Sequence, residues 1–157
     1  MRALAVPVRT LLAHLTPAEC ELARQPLWMT GVDASFCMGG HDFLDGTLRG
    51  PMPLVSGAPD DPVFVFDQDL MRGTTPESEA LISRVVAVYK ATRSSTVLTP
   101  GCVLLIDNVR SVHGRSPFSP KFDGGDRFIT RSFIVRDLVR TRYARTAGSR
   151  VCAARYS

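Results

Sequence analysis

The sequence predicts an α+β chain, mainly β, in which a few antiparallel strands carry helices on one side in a jelly-roll-like arrangement. Three observations lead there. Runs rich in β-branched and aromatic residues recur: "PVFVFDQDL" at 62–70, "CVLLIDN" at 102–108 and "RFITRSFIV" at 127–135. One long apolar stripe at helical spacing lies between the first two. Clusters of Gly, Pro and Asp separate the runs, as turns require.

Taken in order, Thr16-Pro17-Ala18-Glu19 reads as a helix start, because Thr16 can cap, Pro17 suits the first helical position and Glu19 completes a capping box. That helix is short and stops before Pro26. Residues 29–62 read as a long connecting loop with one short strand around Pro53-Leu54-Val55. The run 62–70 alternates and delivers Asp67 and Asp69 at its end. Thr75-Pro76 opens a helix over about 76–92, with Leu81, Ile82, Val85, Val88 and Tyr89 as its apolar stripe. Pro100-Gly101 is a turn, and 102–108 is expected to be a buried strand that leads into a second turn, with His113 at its end. Along 127–135, Arg127, Ile129 and Arg131 fall on one strand face, and Phe128, Thr130 and Ser132 on the other. There is no internal repeat.

The bulk numbers narrow the class. The chain has 157 residues, 45% of them hydrophobic and 22% charged, which suits one compact domain with a real core. The net charge of +4 is uneven, since eight arginines and a single acidic residue, Asp137, fall between Arg127 and Arg155. A solvated surface segment accounts for them, and no nucleic acid is expected. Cys20, Cys37, Cys102 and Cys152 form no CxxC pair, so free, mostly buried thiols in a reducing compartment are expected. The N-terminal apolar run is broken by Pro7 and Arg9 and does not read as a signal peptide. No run reaches the roughly 18 apolar residues of a membrane span. A soluble, cytoplasmic protein follows from these features.

Chemistry is concentrated late in the chain. Two arginines on one strand face are costly to bury unless anions meet them, and guanidinium suits forked binding of carboxylates. A neutral His113 can ligate a metal. Together these suggest a site for a metal and a carboxylate-bearing small molecule. Plainer roles stand beside each: a hydrogen-bonded structural histidine, ion pairs from Arg127 and Arg131 to Asp123, Asp126 or Asp137, and a turn started by Asp67 and Asp69.

The stretch "PGCVLLIDNVRSVHGRSPFSPKFDGGDRFITRSFIVRDL" resembles the C-terminal part of the clavaminate synthase-like, TauD/TfdA-type iron(II)/2-oxoglutarate oxygenases, nearest their amino-acid (arginine and asparagine) β-hydroxylases. "DN.R..HGRSPF", "FDG.DR" and "R...R" follow in family order, and the resemblance reaches back through "GPMPLVSGAPDDPVFVFDQDLMRGT". It implies a partial double-stranded β-helix with flanking helices. It further implies β-hydroxylation of a free amino acid in peptide-antibiotic metabolism, with Fe(II) and the cosubstrate 2-oxoglutarate. His113 matches the distal histidine of the iron triad, and Arg127, fourteen residues on, matches the arginine that holds the far carboxylate of 2-oxoglutarate. Arg131 matches an arginine near the substrate's carboxylate. Asp67 matches a substrate-contacting aspartate, and Asp69 would join it to grip a basic side chain such as arginine.

One departure stands out. The family's HxE or HxD motif is absent: His14 precedes "LT", His41 precedes "DF" and His113 precedes "GR". Asp42 directly follows His41, and on a strand such neighbours face opposite ways. In a loop the two could still serve. The chain is therefore expected to be the C-terminal portion of such an oxygenase, spanning 1–157. It would be truncated, degenerate and carboxylate-binding without turnover, or one half of a split enzyme. A lone half would expose strand edges and favour self-association or a partner chain.

Overall fold

A computed structural model of the chain describes residues 2–31, 48–126, 128–132, 134–139, 142 and 145. The chain divides into two compact units, one of residues 1–32 with 48–118 and the other of 33–47 with 119–157. The first is a mixture of helices and antiparallel strands.

Its first strand, β1, runs Arg2–Pro7 and buries Val6 completely. Pro7 then caps a short helix, α1 (Val8–Leu12), which buries Val8 and Leu11. The Thr16 start is as expected: α2 is Pro17–Ala23, with Glu19 N–H donating to Thr16 Oγ1 (3.2 Å) and Thr16 N–H to Glu19 Oε2 (2.7 Å). Four short strands follow, β2 (Trp28–Thr30), β3 (Arg49–Met52), β4 (Val55–Ala58) and β5 (Asp61–Phe64). The expectation of one loop with a lone strand at Pro53–Val55 is therefore corrected. These strands are three or four residues long, too short for a clear alternating pattern. After β6 (Met71–Gly73), helix α3 spans Pro76–Thr92 as the spacing predicts, and buries Leu81, Ile82, Val85 and Val88. Strands β7 (Ser94–Val97) and β8 (Ser111–Arg115) complete the unit.

All the pairings are antiparallel. One sheet has the order β7-β1-β8, a second β3-β2-β6, and β4 with β5 forms a hairpin. The core gathers Trp28, Leu54, Met71, Leu11, Val6 and the α3 stripe. Trp28 places its bulk there without stranding its N–H, which donates to the Ser78 carbonyl at 3.1 Å. Gly73 has a packing reason to be glycine, since a Cβ there would run into the backbone of Ser78 and Glu79.

Two expected strands are not seen as strands among the described residues. Residues 102–107 are irregular, Asn108 begins a turn, and all are exposed, with Val103 at 86% and Leu105 at 77%. The described residues of 127–135 are also irregular and exposed. Both have β-type sequences, but a strand exists only where a neighbour accepts its ladder, and neither segment has one among the described residues. Within the second unit, the Asp126 carboxylate accepts from the Lys121 and Phe122 amides (2.9 and 2.8 Å), closing the turn around Asp123-Gly124-Gly125. Among the described residues, no helix is long and apolar enough to cross a membrane.

Candidate functional site

His113 sits in the middle of β8, opposite Ala5 of β1, and not at a strand end as expected. The strand begins later than its sequence suggests because Asp107 turns the chain first. Its Oδ1 accepts from the Val109 and Arg110 amides (3.0 and 3.1 Å), and its carbonyl accepts from the Ser111 hydroxyl. The Val109 amide, with Arg110 adding to it, holds the Asp107 carboxyl below its ordinary range. Alternation along β8 then sorts the side chains. Val112 packs on the core and Gly114 lies against the Tyr89 hydroxyl. His113 is on the other face, exposed, with Ser111 and Arg115.

Across from His113 lies the end of β5. A cleft of about 320 Å³ is lined by Val63, Phe64, Val65 and Phe66 on one side and by Asn108, Val109, Ser111, Val112 and His113 on the other. Phe64 and Phe66 stack with centroids 5.8 Å apart, which stiffens that wall. Asp67 follows Phe66 directly and starts a turn. Its Oδ1 accepts from the Asp69 amide (3.0 Å) and the Leu70 amide (3.2 Å). The plain role considered for Asp67 is thus present, and it uses one of the two carboxylate oxygens. Asp67 and Asp69 are both exposed at the end of this wall.

Sequence inspection missed the residues that join the two walls. Arg110 donates to Asp61 through Nε (2.7 Å) and Nη2 (2.6 Å), and Nη1 reaches Asp107 Oδ2 at 3.4 Å. The Asp61 carboxylate holds the guanidinium above its already high ordinary pKa. Asp61 and Arg110 are forty-nine positions apart, so nothing in the local sequence pairs them.

The remaining candidates are in the second unit. Arg131 is exposed on irregular backbone, and Arg127 lies outside the described residues. The three acids considered as their partners are engaged with backbone: Asp123 with the Gly125 amide, Asp126 as above and Asp137 with the Val139 amide. His41 and Asp42 also lie outside the described residues. Among the described residues, no three His, Cys, Asp or Glu side chains converge to hold a metal ion. His113 offers one ligand, and these residues alone do not fit an iron centre, which needs three protein ligands and open positions. The thiols were expected to be mostly buried, but Cys102 is exposed and Cys20 half-buried; Cys37 and Cys152 lie outside the described residues.

No protein-family model matches the chain. It is 54% identical over 149 residues to the L-lysine 3-hydroxylase of Catenulispora acidiphila, covering 95% of this chain and 42% of the relative. It is 34% identical over 106 residues to clavaminate synthase 2 of Streptomyces clavuligerus, covering 68% of this chain and 32% of that protein. Among solved structures, asparagine oxygenase in complex with Fe(II), 3-hydroxyasparagine and succinate superposes with a TM-score of 0.81 at 29% identity, over 93% of this chain and 44% of that one. The chain therefore spans less than half the length of each of these relatives. It is a homologue of the TauD/TfdA-like iron(II)/2-oxoglutarate oxygenases. Over that span it is similar to the C-terminal part of the clavaminate synthase-like amino-acid hydroxylases.

Proposed function

We propose that this chain is the C-terminal portion of an iron(II)/2-oxoglutarate oxygenase that hydroxylates a basic free amino acid, of the lysine or arginine kind, at its β-carbon. The observation that carries this is the 54% identity to a lysine 3-hydroxylase along 95% of the chain. The cleft supports it, with a histidine on one wall and the FDQD turn ending the other. On this reading the strands are part of a double-stranded β-helix, and the flanking helices cover it from outside.

Each residue then has a role set by its chemistry. His113 supplies a neutral ring nitrogen as one leg of the metal site. Arg127 forks onto the far carboxylate of 2-oxoglutarate, and Arg131 meets the carboxylate of the amino acid. The free oxygen of Asp67, with Asp69, faces the side-chain cation. The other metal ligands would come from His41 with Asp42 or from polypeptide outside this sequence. A reducing, cytoplasmic setting suits the unpaired Cys20 and Cys102. The lack of a three-ligand set among the described residues favours a second reading, a degenerate domain that binds a small carboxylate without turnover.

Anaerobic calorimetric titration with Fe(II), 2-oxoglutarate and L-lysine tests the proposal, with norleucine as the uncharged control. Lysine should bind and norleucine should not, and Arg127→Ala should weaken 2-oxoglutarate binding by at least about tenfold. Equal binding of lysine and norleucine would remove the basic substrate. Unchanged 2-oxoglutarate binding in Arg127→Ala would remove the role of that arginine. Carboxylate binding that is indifferent to Fe(II) would select the degenerate domain.

A further inference from the structure

Surface ion pairs usually matter little, and the Asp61–Arg110 pair is half exposed. Its position gives it a purpose. Asp61 opens β5, the strand that leads through Phe64 and Phe66 to the FDQD turn. Arg110 closes the turn before β8, three residues ahead of His113. Two backbone bonds anchor the same turn: the Phe64 amide donates to the Val109 carbonyl at 3.3 Å, and the Val8 amide to the Arg110 carbonyl at 2.9 Å. The first of these is long, so the wall-to-wall link leans on the two-point fork. A guanidinium makes such a fork in one plane and an ammonium cannot.

We infer that Asp61 and Arg110 are a positioning pair that sets the width of the cleft between the FDQD turn and His113. This rests on reading those two walls as the sides of the amino-acid site. Neither residue touches the substrate; the pair holds the carboxylates that would take the side-chain cation at a fixed separation from the histidine.

The test is NMR hydrogen exchange and His113 ring shifts on the full chain, comparing Arg110→Ala, Arg110→Lys and Asp61→Glu with wild type. In the two Arg110 variants, amides at Phe64 and in Ser111–Arg115 should exchange about three- to fivefold faster. The His113 ring signals should move as well. Asp61→Glu keeps a carboxylate and should stay near wild type. Amides of the α3 core should be unaffected in all three, and the melting temperature nearly so. Unchanged exchange and ring signals in Arg110→Ala would overturn the inference. Faster exchange throughout the chain would also overturn it, since the pair would then be a general stabiliser. Full retention in Arg110→Lys would show that charge suffices and the fork does not matter. These readings need no bound metal or substrate, so they stand or fall apart from the wild-type lysine titration.

Discussion

Ser78 is the only buried polar side chain among the described residues, and its hydroxyl is hydrogen-bonded. Its hydroxyl donates to the Thr75 carbonyl and accepts from the Thr75 amide, both at 2.9 Å, while its own carbonyl takes the Trp28 indole N–H. One residue thus completes the capping box that Thr75 opens on α3 and seats the largest core side chain. The other capping box has a pH signature. The Thr16 amide is the main cause holding the Glu19 carboxyl below its ordinary 4.5, with the Thr16 hydroxyl and Arg84 adding to it. A depressed folded-state pKa contributes stability that is full above the ordinary value and is lost as pH falls through the folded one. Wild type should therefore melt above Glu19→Gln at about pH 7, and the two curves should converge as pH falls below the ordinary value of 4.5. Thermal melts across that range check it; a constant gap would show that the carboxylate charge contributes nothing. At this scale the Thr16 capping box was legible because it is local, four residues end to end, whereas the part of Ser78 in the second box was not read. The single-oxygen engagement of Asp67 was not, since a sequence cannot say which lone pairs a turn consumes.

Among the elements, α3 was readable to its ends, because a capping Thr, a Pro at the first position and a stripe of buried residues all agree. Segment 102–108 was misread for the opposite reason: its β propensity is real, but a strand is a property of two segments, and none of the described residues pairs with it. Strands β1 and β7 were overlooked because each is made by a neighbour distant in sequence, Ala5 facing Ser94 on one side and His113 on the other. The contact between β6 and α3 offers a sharper test. The Gly73 amide donates to Glu79 Oε2 at 2.6 Å, and its missing side chain admits the helix backbone. Gly73→Ala should destabilise the fold by about 1–3 kcal/mol, the usual range for overpacking a site walled by backbone. Denaturant unfolding measures it. A change within error would mean that the α3 N-terminus yields easily.

Over the whole molecule the unusual quantity is exposed apolar surface. Val103 and Leu105 are accompanied by Phe128 at 90% and Ile134 at 83%, in segments whose sequences favour strands. Such surface is rarely left to water. The chain should self-associate at concentrations on the order of 100 μM, and replacing Val103 and Leu105 together with lysine should reduce that. Size-exclusion chromatography with light scattering would decide: a wild-type chain that stays monomeric throughout that range would show these segments to be harmless. The β7-β1-β8 order has a further consequence, for the timing of folding. The two neighbours of β1 are Ser94–Val97 and Ser111–Arg115, and the buried Val6 pairs with Val112 of the second. On a ribosome the pairs that β1 makes in this sheet must therefore wait until nearly all of the first unit has been synthesised. Pairings of such sequence separation are slow to close. During that interval the apolar side chains of β1 have no sheet of their own to pack in.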